Sequence, residues 1–174
     1  MKLLYKVILV CFIAGLASGC GGSNGTLEIG SVASDFQLDT LAHGRFYLNQ
    51  QKGKVVVLVF WDTTCVFCKS ELVALKSFVD IPGASSLTVA SVCIDPENNN
   101  DVKEIVNNLG LGYQVLLDRD AKVANKYKIM GIPETVIIDK TGRISFLRMG
   151  YDSVIMEQIR DKVVSLLAQE ESNK

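Results

Sequence analysis

Val55-Val56-Val57-Leu58-Val59-Phe60, running straight into Trp61-Asp62-Thr63-Thr64-Cys65-Val66-Phe67-Cys68-Lys69-Ser70-Glu71, is the stretch on which the fold turns. Six consecutive β-branched or large apolar residues after Lys52-Gly53-Lys54 predict a strand buried on both faces, as in a partly parallel sheet. Over residues 68–78 the apolar period changes, and Leu72, Leu75 and Phe78, with Val73, gather on one helical stripe. The two cysteines therefore fall where a central strand hands over to a helix. Disulfide exchange needs a thiolate, and the unpaired N–H groups and positive dipole end of a helix N-terminus lower a thiol pKa. Cys65 occupies that place. Cys68, three residues on and on the same helical face, is placed to attack a mixed disulfide formed at Cys65.

Outward from this junction the alternation continues. A strand is predicted over residues 87–94. Asp101 and Glu104 have capping-box spacing for a helix that turns Val102, Ile105, Val106 and Leu109 inward and stops before Gly110. A short strand at residues 115–117 and a short helix at 121–127 follow. Strands at 135–138 and 144–148 then form a hairpin around Asp139-Lys140-Thr141-Gly142, and a closing helix over 153–168 carries Ile155, Ile159, Val163 and Leu167. Upstream, Phe36-Gln37-Leu38 and Phe46-Tyr47-Leu48 flank Leu41-Ala42-His43-Gly44, a hairpin leading into the domain. The sum is an α/β plan, a mixed central sheet flanked by helices with an N-terminal hairpin extension.

With 174 residues, 48% of them hydrophobic and only three prolines, the chain fits one compact domain, over residues 29–168, ending in a polar tail at 169–174. The first residues read differently. Lys2 and Lys6 precede an apolar run over residues 7–17 that is too short for a stable span, the pattern of a secretory signal over 1–19. It ends in Leu16-Ala17-Ser18-Gly19-Cys20, which resembles the lipobox of bacterial lipoproteins, with Ala17 where leucine is commonest. Cys20 would then carry lipid, and residues 20–28, opening Gly21-Gly22-Ser23-Asn24-Gly25, would be a flexible tether. Cleavage before Cys20 removes two lysines and leaves 16 basic against 19 acidic residues, a net charge of −3, which gives nucleic acid no basic patch. Cys11 and Cys20 belong to the export segment, so Cys65, Cys68 and Cys93 remain, an odd count that argues against a structural disulfide framework.

The segment from Phe60 to Glu71 resembles the active site of TlpA/ResA-type thioredoxin-like oxidoreductases, relatives of the AhpC/TSA and redoxin proteins. A second anchor, Gly131-Ile132-Pro133-Glu134-Thr135, resembles the family's cis-proline loop. The resemblance implies a thioredoxin-like fold and a protein-disulfide reductase whose dithiol is Cys65 and Cys68. Ile132 and Pro133, with Trp61, would meet the substrate. Glu71, one turn after Cys68, matches a family acid that exchanges the Cys68 proton; its residue type alone equally fits a solvated helix surface. Val59 stands where cytoplasmic thioredoxins bury an aspartate, and Asp62 is expected to serve turn geometry. Thr64 and Phe67 depart from the common Trp-Cys-x-Pro-Cys form, which leaves the reduction potential and partner surface open.

Similar proteins take electrons from a membrane thiol donor and often reduce apocytochrome c. The implied setting is therefore cytochrome c maturation at the cell envelope, lipid-anchored on the extracytoplasmic or periplasmic side, with no dissociable cofactor. Two rivals stand beside this. Peroxiredoxins carry threonine three residues before the cysteine, where this chain has Asp62. A copper-binding assembly factor on the same fold would hold Cu(I) with both thiolates and a histidine, but no histidine follows His43. Structural zinc lacks a second ligand pair, since only Cys93 and His43 remain as soft candidates. Cys93, in an apolar strand, reads as an inert buried thiol, and His43 as a surface residue.

Overall fold

The computed structural model describes residues 27–94 and 99–169. The signal segment, Cys20, most of the tether and nearly all of the polar tail lie outside the described residues. The strand expected over residues 55–60 is the middle of the molecule. β3 (Val55–Trp61) is buried along its whole length, because its side chains alternate between two apolar clusters. Val55, Val57, Val59 and Trp61 face the first, and Val56, Leu58 and Phe60 face the second.

Seven strands form one sheet in the order β2-β1-β5-β4-β3-β6-β7. β3 pairs in parallel with β4 (Leu87–Cys93), and β4 in parallel with β5 (Gln114–Leu117). On its other side β3 pairs antiparallel with β6 (Glu134–Ile138), which forms the expected hairpin with β7 (Ile144–Met149). β1 (Gln37–Thr40) and β2 (Arg45–Tyr47) make the predicted N-terminal hairpin, closed by Thr40 N–H on the Gly44 carbonyl. This hairpin is more than an extension. β1 pairs with β5 through Asp39–Leu117 and Thr40–Leu116, and so covers an edge whose N–H and C=O groups would otherwise stand open.

α1 (Val66–Ala74), α2 (Asn99–Leu109) and α4 (Ser153–Ala168) pack residues into the first cluster, and α3 (Lys122–Lys126) packs into the second. The helix expected over 68–78 divides. α1 stops at Ala74 and a 3-10 turn, Leu75–Asp80, carries Leu75 and Phe78 inward, while Val73 lies on the outer face and is exposed. α2 begins at Asn99, ahead of the Asp101–Glu104 pair, so Asp101 sits in its first turn rather than at its cap. α4 starts where expected because Asp152 accepts a hydrogen bond from Ile155 N–H at 2.7 Å. In the second cluster Phe36, Phe46, Phe60 and Tyr127 stack edge and face, and the Tyr127 hydroxyl donates to the Ser34 carbonyl.

Asp118, just after β5, carries the short helix α3. Its buried carboxylate accepts from Val123 N–H at 3.1 Å and Ala124 N–H at 2.8 Å. Asp118→Ala leaves both donors without that partner, and urea unfolding is expected to show a loss of about 1–2 kcal/mol.

Candidate active site

The cysteines are positioned by the way β3 ends. Asp62 Oδ1 accepts three hydrogen bonds, from Thr64 N–H at 2.8 Å, the Thr64 hydroxyl at 2.9 Å and Cys65 N–H at 2.7 Å. This turn delivers Cys65 to the N-cap of α1, where its Sγ accepts from Cys68 N–H at 3.1 Å. Asp62 thus does what its residue type suggested, and a backbone N–H faces the Cys65 sulfur as the helix-terminus argument requires. Cys65 and Cys68 are joined in a disulfide with Cα atoms 5.3 Å apart. Cys65 is half-buried and Cys68 fully buried, so only the first can be met by a large partner.

The proline loop lies beside this junction. The pairing of Phe60 with Glu134 puts Pro133 level with Trp61, and the Ile132–Pro133 bond is cis as expected. Gly150 N–H donates to the Pro133 carbonyl at 2.7 Å, which ties the loop to the end of β7. Ile132 is half-buried and packs against both clusters. Val66 and Phe67, between the cysteines, are exposed, as are Met130 and Met149 on the proline-loop side. Met149 lies over Gly131 so closely that a Cβ there would meet its Sδ at 2.6 Å.

One helical turn after Cys68 on α1, Glu71 has no exposed surface, so the solvated-surface alternative falls. The Thr135 hydroxyl donates to its Oε1, while its Oε2 is buried with no hydrogen-bond partner. Burial pushes the carboxyl from its ordinary 4.5 up to about 7, and the bond from Thr135 opposes the push. Tyr113 donates to the Leu72 carbonyl at 2.7 Å, and its phenol is pushed upward by burial first and by the nearby Glu71 charge second.

Thr135 and Tyr113 were not among the residues singled out from sequence. Thr135 was within reach: two residues after Pro133 on an alternating strand, it shares a face with Val59, its partner across the sheet. Tyr113 had no local signal, since only its hydrogen bond to the Leu72 carbonyl, 41 residues away in sequence, ties it to α1.

Trp61, expected to meet the substrate, has no exposed surface in the oxidised protein, and its Nε1–H is buried without a hydrogen-bond partner. Its place as the last residue of a strand buried on both faces is the reason. Cys93, opposite Trp61 on β4, is buried, and His43 is exposed in the hairpin turn. Among the described residues no three His, Cys, Asp or Glu side chains gather as metal ligands would.

Comparison with known proteins adds three likenesses and a family match. The AhpC/TSA family model matches residues 29–147. The thiol-disulfide oxidoreductase ResA of Geobacillus kaustophilus (strain HTA426) is 30% identical over 124 residues, 71% of each chain. ResA of Bacillus thuringiensis (strain Al Hakam) is 27% identical over 172 residues, 95% of each chain. In structure, the thioredoxin domain of a thiol-disulfide oxidoreductase from Bacteroides vulgatus superposes with a TM-score of 0.67 at 23% identity, covering 83% of this chain and 98% of that one, a likeness of fold.

The raised Glu71 pKa has a consequence for stability. A folded-state value above the unfolded one favours folding in full below about pH 4.5, and that contribution is lost as pH rises through about 7. Glu71→Gln is free of this loss. Urea unfolding of the oxidised protein is expected to show wild type and variant drawing apart between pH 4.5 and 8, the variant ending up to about 3 kcal/mol more stable at pH 8.

Proposed function

Since this chain belongs to the AhpC/TSA family and is a thiol-disulfide oxidoreductase akin to ResA, we propose that it reduces protein disulfides outside the cytoplasm through Cys65 and Cys68. The observation that carries the proposal is the division of labour in the dithiol: a half-exposed cysteine at a helix N-cap bonded to a fully buried one above a buried carboxyl. In the reduced protein the Cys65 thiolate attacks one sulfur of the substrate disulfide, and the other sulfur leaves as a thiolate and takes a proton from water. Glu71 takes the Cys68 proton. The Cys68 thiolate then attacks Cys65 Sγ, breaks the mixed disulfide and releases the second substrate sulfur as a thiolate, which takes a proton from water. Two electrons pass to the substrate, and the enzyme is left with the Cys65–Cys68 disulfide seen in the structure.

Ile132 and Pro133 are the loop residues we assign to substrate contact, an extended segment lying along them over Cys65. The cycle needs an upstream thiol donor to return the dithiol, and a membrane thiol transporter fits that need in an oxidising compartment. Apocytochrome c is the substrate class that the ResA likeness favours. Among the described residues no helix is long and apolar enough to cross a membrane. In this reading residues 29–168 work as a domain held at the membrane by lipid on Cys20, and signal and anchor fall outside the described residues.

Two measurements test the proposal. Cys65→Ser is expected to abolish turnover of a protein disulfide, whereas Cys68→Ser accumulates mixed disulfides that mass spectrometry of captured partners identifies; no captured partner counts against a protein substrate. The reduction potential of the pair, read in glutathione or dithiothreitol buffers, is expected near that of thioredoxin, about −270 mV. A value near about −120 mV makes the protein an oxidant and reverses the assigned direction.

A further inference from the structure

The two oxygens of the Glu71 carboxyl are not equivalent. Oε1 is the acceptor of the Thr135 hydroxyl, and Oε2 is buried with no partner at all. Thr135 is itself almost fully buried and lies inside β6, which is hydrogen-bonded to β3 on one side and β7 on the other. Its β-branched side chain has few rotamers in such a strand, so the sheet fixes where its hydroxyl stands. Glu71 by contrast rides on α1, with a longer side chain of three rotatable bonds. A bond from the rigid partner therefore orients the flexible one. Thr135 also faces Val59 across the strand pair, and Val59 is apolar, so β3 supplies no other donor for the carboxyl at that point.

From this geometry we propose that Thr135 is a positioning residue for the resolving step: it holds Oε1 of Glu71 so that Oε2 is the oxygen left to take the Cys68 proton. The inference rests on Glu71 as the base. In that step the proton moves from Cys68 Sγ to Oε2, the Cys68 sulfur bonds to Cys65 Sγ, and the electron pair of the mixed disulfide leaves on the substrate sulfur. The same bond favours the ionised carboxyl, which keeps Glu71 able to accept a proton near neutral pH despite its burial. The other titratable group that faces it is the Tyr113 phenol just before β5, and Cys68 lies one turn earlier on its own helix; from α4 the buried contributions to the neighbouring core are apolar, Ile159 and Val163 among them.

The test follows the lifetime of the glutathione mixed disulfide formed when the reduced, full-length protein meets oxidised glutathione, quenched and weighed by mass spectrometry from pH 5 to 9. In wild type, resolution should accelerate through a midpoint near 7. In Thr135→Val the midpoint moves up, the intermediate survives about fivefold longer or more at pH 7, and the two proteins converge at pH 9. Thr135→Ser restores the wild-type profile, and Thr135→Ala serves in place of valine should valine not fold. A variant profile that overlays wild type, a slowing equal at every pH, or failure of serine to rescue overturns the assignment of Thr135 alone. Glu71→Gln run alongside separates the two readings: if it keeps the wild-type profile, Glu71 is not the base and the inference falls with it.

Discussion

Everything at the active end of the molecule depends on a single strand being out of water on both faces. β3 sends alternate side chains into two different apolar clusters, and each fully buried valine, leucine or phenylalanine there contributes on the order of 1.5–3 kcal/mol. A strand so enclosed cannot slip in register, because a shift by one residue would exchange the two faces and misplace every side chain. Its last residue is therefore fixed in space, and with it the turn at Asp62, the cap at Cys65 and the first turn of α1. The redox pair inherits its position from the core.

That enclosure also explains the chemistry of the carboxyl. A glutamate on α1 that points toward the sheet enters the apolar layer between α1 and β3, where its charged form is costly. One hydroxyl from β6 offsets part of that cost, and one carboxyl oxygen is left without any partner. The result is an acid poised near neutral pH under a disulfide, a balance that a fully satisfied or a fully exposed glutamate would not reach. The stability given up in burying it accords with the role proposed for Glu71 as the base for Cys68.

Much of this was legible in the linear chain. The unbroken run at residues 55–60, the change of period after Cys65 and the two-residue spacing between the cysteines are local patterns, and local patterns fix strands, helices and their junctions. The same holds for the hairpin around Gly142 and the start of α4 at Ser153. Local reading fell short at the 3-10 turn after Ala74, at the start of α2 at Asn99, and at the N-terminal hairpin, which a distant pairing with the edge of β5 draws into the sheet.

The sequence by itself determined that one cysteine would stand at a helix start with a second three residues on, since both depend on neighbours within a few residues, whereas the proline loop facing them was what the family resemblance implied. The tertiary structure alone decided that Glu71 would be buried, that Thr135 would hold it, and that Trp61 would be hidden. Glu71 and Thr135 stand 64 residues apart and meet only through the antiparallel register of β6 on β3. Burial and partner are properties of that meeting, and no stretch of the chain read on its own contains them.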